Sequence, residues 1–119
     1  MTFAEFWPTY VLAHRKPATR AFHAVSSVAP FVFGGLAVAT RSAWWLLAIP
    51  VAAYGTAWFS HFFIEHNRPA TFDHALLSLM GDYKMLGLML AGRMGAEVMR
   101  AEAGRAEAGP AVRDRVAAE

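Results

Sequence analysis

The sequence predicts an all-α membrane protein: a transmembrane helical hairpin flanked by amphipathic or interfacial helices. Of its 119 residues, 56% are hydrophobic and only 17% are charged, unlike an ordinary soluble domain. Residues 21–39 and 43–64 carry no formally charged side chain and one histidine each, and each stretch is long enough to cross about 30 Å of hydrocarbon. Trp44 and Trp45 lie beside the turn between them, as expected for indole rings at a membrane interface. The alternative is a pair of buried helices in a soluble bundle.

The segments around the hairpin have weaker helical patterns. Residues 3–13 space Phe6, Trp7 and Tyr10 as on one helix face, which predicts a short amphipathic helix on the bilayer surface, broken or kinked by Pro8. Residues 14–20 are a polar connection, and residues 40–42 are a tight turn. Residues 74–92 predict a third helix that is interfacial or re-entrant rather than spanning, because Asp82 and Lys84 interrupt its apolar pattern.

The C-terminal part has a different composition. Residues 100–104 and 105–109 repeat the pentapeptide RAEAG, and the remainder alternates alanine with charges. Such a sequence cannot bury a core of its own. We therefore predict one membrane domain over residues 1–94 and a flexible tail over residues 95–119.

Composition excludes several classes of function. The chain has no cysteine, so disulfide frameworks, zinc fingers and thiol nucleophiles are excluded. Its net charge is only +2, and its basic residues are dispersed without interleaved aromatics, so a nucleic acid is not an expected partner. Any metal site must use His, Asp, Glu or backbone atoms.

Basic residues are distributed unevenly about the predicted hairpin. The turn holds the single Arg41, and the opposite side holds six basic residues: Arg15, Lys16, Arg20, Arg68, Lys84 and Arg93. The positive-inside rule therefore predicts that both termini lie in the cytoplasm.

Four of the five histidines are predicted to meet on that same side. A tight turn brings together the outer ends of the two spans, which carry His23 and His61; His14 precedes the first span and His74 follows the second. Ionisable groups at membrane depth mark function by default. We interpret the group as a metal site, for which neutral imidazoles suit Fe, Zn, Cu or Ni. The alternative is a set of interfacial histidines bonded to lipid phosphates or backbone.

Three segments resemble the signature segments of the Mpo1-like family: HRKPATRAFH (14–23), SHFFIEHNRPATF (60–72) and HALLSLMGDYKM (74–85). The resemblance extends over residues 3–94. It implies a membrane enzyme that uses Fe(II) and O2 to shorten 2-hydroxy fatty acids by one carbon, with His14, His23, His61 and His74 as iron ligands. Two residues depart from the family pattern, in which lysine is more usual than His66 and proline is common in place of Ala75.

Further roles follow if the resemblance holds. Arg68, Arg20 or Arg15 would hold the anionic headgroup of the substrate, with Asn67 as a further substrate contact. Glu65 shares a helix face with His61 in the H-x-x-x-E pattern; Glu65 and Asp82 are the candidate catalytic carboxylates, orienting imidazole N–H groups or serving only as ion pairs. The acyl chain is expected along the hairpin, among Phe22, Val25, Phe62 and Leu77.

Two other classes of function stay open from sequence. A zinc-dependent membrane hydrolase would use similar ligands, with Glu65 as general base. A non-enzymatic lipid-binding or scaffold protein would need no metal at all.

Overall fold

The computed structural model describes residues 1–108, which form five α-helices joined by short connections and, within that range, no β-strand. The helices are α1 (Phe3–Leu12), α2 (Pro17–Thr40), α3 (Ala48–Ser60), α4 (Ala75–Leu90) and α5 (Met94–Glu107). One 3-10 turn, Ala43–Leu47, precedes α3; a π turn, His61–Glu65, follows it; a second 3-10 turn, Ala70–Phe72, precedes α4. The all-α prediction is confirmed.

The helical hairpin of α2 and α3 is the longest feature of the fold. The chain reverses at Arg41, whose left-handed backbone (φ 56°) lets Ser42 N–H donate to the Ala37 carbonyl at 3.1 Å. Residues 17–40 and 43–65 are long and apolar enough to cross a membrane, and only 22% and 17% of these stretches are buried by protein. Val38 and Val51 are 81% and 75% exposed. Extended apolar surface of this kind is typical of a membrane or protein contact.

Helix α1 is buried rather than laid on a surface. Phe6, Trp7, Tyr10 and Val11 form the protein's principal apolar cluster with two buried methionines of the C-terminal half, Met85 and Met94. The helix begins with a capping box, in which Thr2 and Glu5 satisfy each other's backbone N–H groups. It continues through Pro8 without interruption, so of the predicted break or kink at this proline the break is wrong, and the kink stays a prediction.

Helices α4 and α5 complete the packing around α1. Helix α4 contacts both α1 and α2, and the chain then turns at Gly92 (φ 70°) so that α5 returns along α1. Trp7 Nε1 donates to Glu97 Oε2 at 3.1 Å across this contact. The predicted tail over residues 95–119 thus begins as an ordered helix, and the boundary at residue 94 stays a prediction; residues 109–119 lie outside the described part.

Candidate metal centre

Three histidines converge at the end of the hairpin away from Arg41. His14 lies in the connection from α1 to α2, His23 in the second turn of α2, and His61 at the start of the π turn after α3. Their side chains are buried, with 1%, 4% and 2% exposed. One ring nitrogen from each lies within 4.8 Å of the others. The hairpin thus brings together residues that are far apart in sequence.

The hydrogen-bond partners fix the tautomers of His14 and His61. His14 Nδ1 lies 2.6 Å from the Tyr10 carbonyl oxygen, which can only accept, so this nitrogen carries the proton. His61 Nδ1 lies 2.7 Å from Asn67 Oδ1. The amide of Asn67 is oriented because its Nδ2 donates to the Ala13 carbonyl at 3.0 Å. His61 therefore also carries its proton on Nδ1.

The tautomer of His23 follows in the same way. Its Nδ1 lies 3.1 Å from Asp82 Oδ1, and an ionised carboxylate accepts only. The same oxygen accepts a short bond from the Tyr10 hydroxyl. Tyr10 therefore supports two of the three imidazoles, through its carbonyl and through Asp82.

In these neutral tautomers, the Nε2 atom of each ring has a lone pair available to bind a metal ion. Nε2 of His23 and Nε2 of His61 are 3.1 Å apart, which is a hydrogen-bond distance if one of the two rings also carries a proton on Nε2; when both rings are neutral with the proton on Nδ1, two lone pairs meet there. His14 Nε2 is buried with no partner among the described residues. Lone pairs this close repel, and a buried acceptor without a partner costs about 1–3 kcal/mol. A divalent metal ion satisfies all three, and the donor set fits Fe, Zn, Cu or Ni.

Burial determines the protonation of His14 and Tyr10. Burial, followed by the neighbouring His23 and His61, holds the pKa of His14 well below its ordinary value, so its ring is neutral and able to bind a metal. Burial and the adjacent Asp82 raise the pKa of Tyr10 well above its ordinary value. The phenol therefore keeps its proton and remains a donor to the carboxylate.

The π turn places Asn67 beside His61. His66 adopts a left-handed backbone conformation (φ 59°), and the N–H of Asn67 then donates to the His61 carbonyl at 2.9 Å. This closure folds the chain back so that the Asn67 amide meets the ring of the same histidine. Such π turns are frequent at functional sites.

A known protein family matches most of the chain. A family model described as "Mpo1-like: 2-hydroxy-palmitic acid dioxygenase Mpo1-like" matches residues 1–94. The chain belongs to the Mpo1-like family. The match includes the three converging histidines and all their hydrogen-bond partners, and it ends where α5 begins. No curated protein and no solved structure matches the chain.

The fourth histidine predicted from the Mpo1-like resemblance lies apart from these three. His74 is half-buried just before α4, with its ring edge-on to Phe6 at 5.6 Å between centroids. It is not in the group of side chains that can share one ion. Its role as a ligand stays a prediction.

Glu65 and Asp82, the two predicted carboxylates, have different surroundings in this Mpo1-like chain. Asp82 holds His23, as described above. Glu65 Oε1 instead accepts from the backbone N–H of Lys16 at 2.6 Å, while Lys16 Nζ donates to the Ile64 carbonyl at 2.7 Å. These bonds tie the end of the π turn to the beginning of α2.

The candidate substrate-binding residues also make contacts within the protein. Arg20 donates to the backbone carbonyls of His14 and Arg15, which fixes the connection before α2. Arg68 is exposed and pairs with Asp73 at 3.3 Å. Asn67 orients His61. Substrate contact by these residues therefore stays a prediction.

Tyr10 is the participant that sequence reasoning missed. Its ring stacks on His14 at 4.1 Å between centroids, in addition to the two bonds described above. The signal was present in the sequence, since residues 10 and 14 are spaced to share a helix face. An aromatic residue in an apolar helix is more commonly ordinary core, so the pattern alone did not single it out.

Proposed function

We propose that the protein is an Fe(II)-dependent dioxygenase that shortens 2-hydroxy fatty acids by one carbon. In the balanced reaction, one hydroxy acid and one O2 give the shorter fatty acid, CO2 and water; the acid loses four electrons and O2 gains them. The observation that carries the proposal is the set of three buried imidazoles with one ring nitrogen of each within 4.8 Å of the others, in a chain of a family named for this activity.

The residues define what the protein contributes. His14, His23 and His61 would hold the ion, which when bound supplies the redox chemistry that O2 requires. Three neutral ligands leave the charge of a divalent ion uncompensated, which favours an anionic carboxylate nearby. Tyr10, Asp82 and Asn67 hold the rings in the metal-binding tautomer.

We further propose that the hairpin spans a membrane, with both termini and the metal centre on the cytoplasmic side. The exposed apolar surfaces of α2 and α3 and the excess of basic residues on the histidine side support this. At that depth, the metal centre would bind a lipid-derived acid while the acid remains in the membrane.

The test combines metal quantification with product analysis. Purified protein is loaded anaerobically with Fe(II), then given O2 and matched 2-hydroxy, 3-hydroxy or unsubstituted acids. We expect oxygen uptake and a product one carbon shorter only from the 2-hydroxy acid, because a site that engages a hydroxyl can reject its analogue by up to about 10⁴-fold. Equal turnover of the three acids, or full activity with zinc, would refute the proposal.

A zinc hydrolase is the second candidate, since three histidines are also a catalytic zinc set. Its predicted general base, Glu65, is engaged by the Lys16 backbone N–H, which weakens that candidate. Hydrolysis of acyl esters by the zinc-loaded protein, without oxygen uptake by the iron-loaded protein, would favour it.

A further inference from the structure

A cavity of about 360 Å³ lies between α2, α3 and α4, beside the metal centre. Its wall includes Asp82, the carboxylate that holds His23. Near Asp82 the wall is polar, formed by Ser26 and Ser27; farther along α2 it is apolar, formed by Pro30 and its neighbours Ile49 and Pro50 on the antiparallel α3. The cavity therefore has a polar end at the centre and an apolar end along the hairpin.

Ser27 is the unusual member of the polar end. Its side chain is 5% exposed and its hydroxyl has no partner among the described residues. The adjacent Ser26 hydroxyl, in contrast, donates to the His23 carbonyl at 2.8 Å. A buried hydroxyl without a partner costs about 1–3 kcal/mol, and Ser27 lines the cavity. A polar atom of a ligand would satisfy it.

The apolar end has the dimensions and surroundings for a hydrocarbon chain. From His23 to Pro30 the path along α2 is about 10 Å, at about 1.5 Å per residue. The rim includes Tyr54 and Leu79, which are 47% and 52% exposed on the apolar outer surface. A chain longer than the cavity can therefore continue sideways into lipid.

We propose that this cavity binds the headgroup-proximal part of the acyl chain of a 2-hydroxy fatty acid, with Ser27 and Asp82 contacting its hydroxyl. The identity of the head rests on the proposed function, whereas binding of a chain does not depend on turnover. Asp82 Oδ1 already accepts from Tyr10 and His23, which leaves Oδ2 to accept from the ligand. Ser27 lies one turn beyond His23 on the same face of α2.

This placement differs from the acyl path expected from sequence. Phe22 packs against Phe59 at 5.3 Å between centroids, and Leu77 packs against the apolar cluster around α1. Val25 lines a shallow groove on a different part of the hairpin surface, together with Val28 and Ala52. These three residues have different surroundings and do not line the proposed cavity, so the path expected from sequence stays a separate prediction.

Photolabelling locates the chain without requiring activity. The full-length protein in phosphatidylcholine nanodiscs is irradiated with a 2-hydroxypalmitic acid analogue carrying a diazirine on its chain, and adducts are mapped by mass spectrometry. We expect adducts at residues of the cavity wall such as Pro30 and Ala53, suppressed by excess 2-hydroxypalmitic acid. Adducts confined to the groove around Val28 would overturn the proposal. Adducts that free acid does not suppress would also overturn it, because bilayer lipid rather than the hydroxy acid then occupies the cavity.

Matched substitutions test the same site through binding constants. Ala53→Leu fills the cavity, whereas Ala52→Leu adds the same volume to the separate groove. We expect Ala53→Leu to weaken binding of both 2-hydroxypalmitic and palmitic acid by about tenfold or more, and Ala52→Leu to leave both unchanged. Equal effects of the two substitutions would contradict the proposal. Helical content by circular dichroism and retained iron binding verify that each variant is folded.

Ser27→Ala separates recognition of the hydroxyl from recognition of the chain. We expect it to weaken binding of the hydroxy acid by about 2- to 10-fold and to leave palmitic acid binding unchanged. Identical losses for both acids would refute the role of Ser27. Specific labelling without oxygen uptake by the iron-loaded protein would reject the proposed reaction but retain the chain site; turnover with labelling elsewhere would do the reverse.

Discussion

Gly81 lies so close to the ring of Tyr10 that a β-carbon on residue 81 would come within 2.8 Å of Tyr10 Cε2. Because residue 81 has no side chain, α1 can approach α4 at the point where Tyr10 contacts Asp82. We expect Gly81→Ala to displace the ring, lower the free energy of unfolding by about 1–3 kcal/mol and weaken metal binding. Thermal unfolding and metal titration measure both effects. Gly87→Ala in the same helix meets nothing within 4 Å, so it should be neutral or stabilising; equal destabilisation by the two changes would contradict this explanation.

Ligand substitutions should separate a three-histidine from a four-histidine centre. Changing His14, His23 or His61 to alanine removes one of the converging Nε2 atoms, so each change should lower Fe(II) affinity by at least about 100-fold. Anaerobic titration followed by elemental analysis gives the affinity and stoichiometry. His66→Asn is the control, since His66 is exposed and asparagine tolerates its left-handed backbone. A comparable loss of Fe(II) affinity in His74→Ala would show that His74 is also a ligand. Unchanged Fe(II) affinity in His14→Ala would refute the three-histidine set.

Asn67 should matter for the metal although it is not a ligand. Asn67→Ala removes the acceptor that holds the His61 proton on Nδ1, and loss of such support typically costs 10–100-fold in metal affinity. The adjacent Arg68→Ala removes only an exposed ion pair and should leave the affinity unchanged. If Arg68→Ala weakened metal binding as much as Asn67→Ala, the local fold rather than the hydrogen bond would be responsible.

Acidification should destabilise the metal-free protein through His14. The unfolded chain binds a proton at His14 near the ordinary pKa of about 6.5, whereas burial depresses the pKa in the folded state. The unfolded state therefore holds more protons below about pH 6.5, and stability falls as pH falls, by up to about 1.4 kcal/mol per pH unit. Unfolding in detergent at pH 7.5 and 5.5 measures the slope. His14→Gln should have a shallower slope, and an identical slope would contradict the assignment.

The orientation in the membrane is open to direct measurement. Six basic residues on the histidine side, against Arg41 in the turn, predict cytoplasmic termini. Reporters fused at the C-terminus should read out as cytoplasmic, and a reporter inserted at the turn should read out on the other side. A C-terminal fusion that is active only outside the cytoplasm would invert the proposed topology.

Hydropathy and length were sufficient to predict the hairpin, and the hairpin in turn brought His23 and His61 together. These signals are strong because they depend on long runs of residues rather than on individual contacts. The burial of α1 was not predictable in the same way. Its apolar face was visible in the spacing of Phe6 and Tyr10, but the sequence does not state whether lipid or protein covers such a face.

The surroundings of the histidines were less predictable because they depend on local register. The pairing of His61 with Glu65 assumed α-helical spacing, whereas the chain forms a π turn there and Glu65 meets Lys16. Asn67 was expected at the substrate, yet the left-handed conformation of His66 turns its amide toward His61. A single changed backbone angle redirects the residues that follow it, and such a change cannot be predicted from residue spacing.

Because the residues of the proposed site lie far apart in sequence, the order of synthesis restricts when a metal ion can bind. His14 and His23 leave the ribosome early, His61 and Asn67 follow with the end of the hairpin, and Asp82 emerges only with α4. Because segments are made in N-to-C order, a growing chain whose hairpin enters the bilayer as proposed would not yet have Asp82 to support His23. Under the proposed function and topology, iron would therefore be acquired after insertion, from the cytoplasmic side, and an interrupted chain ending before α4 would be inserted but poorly metallated.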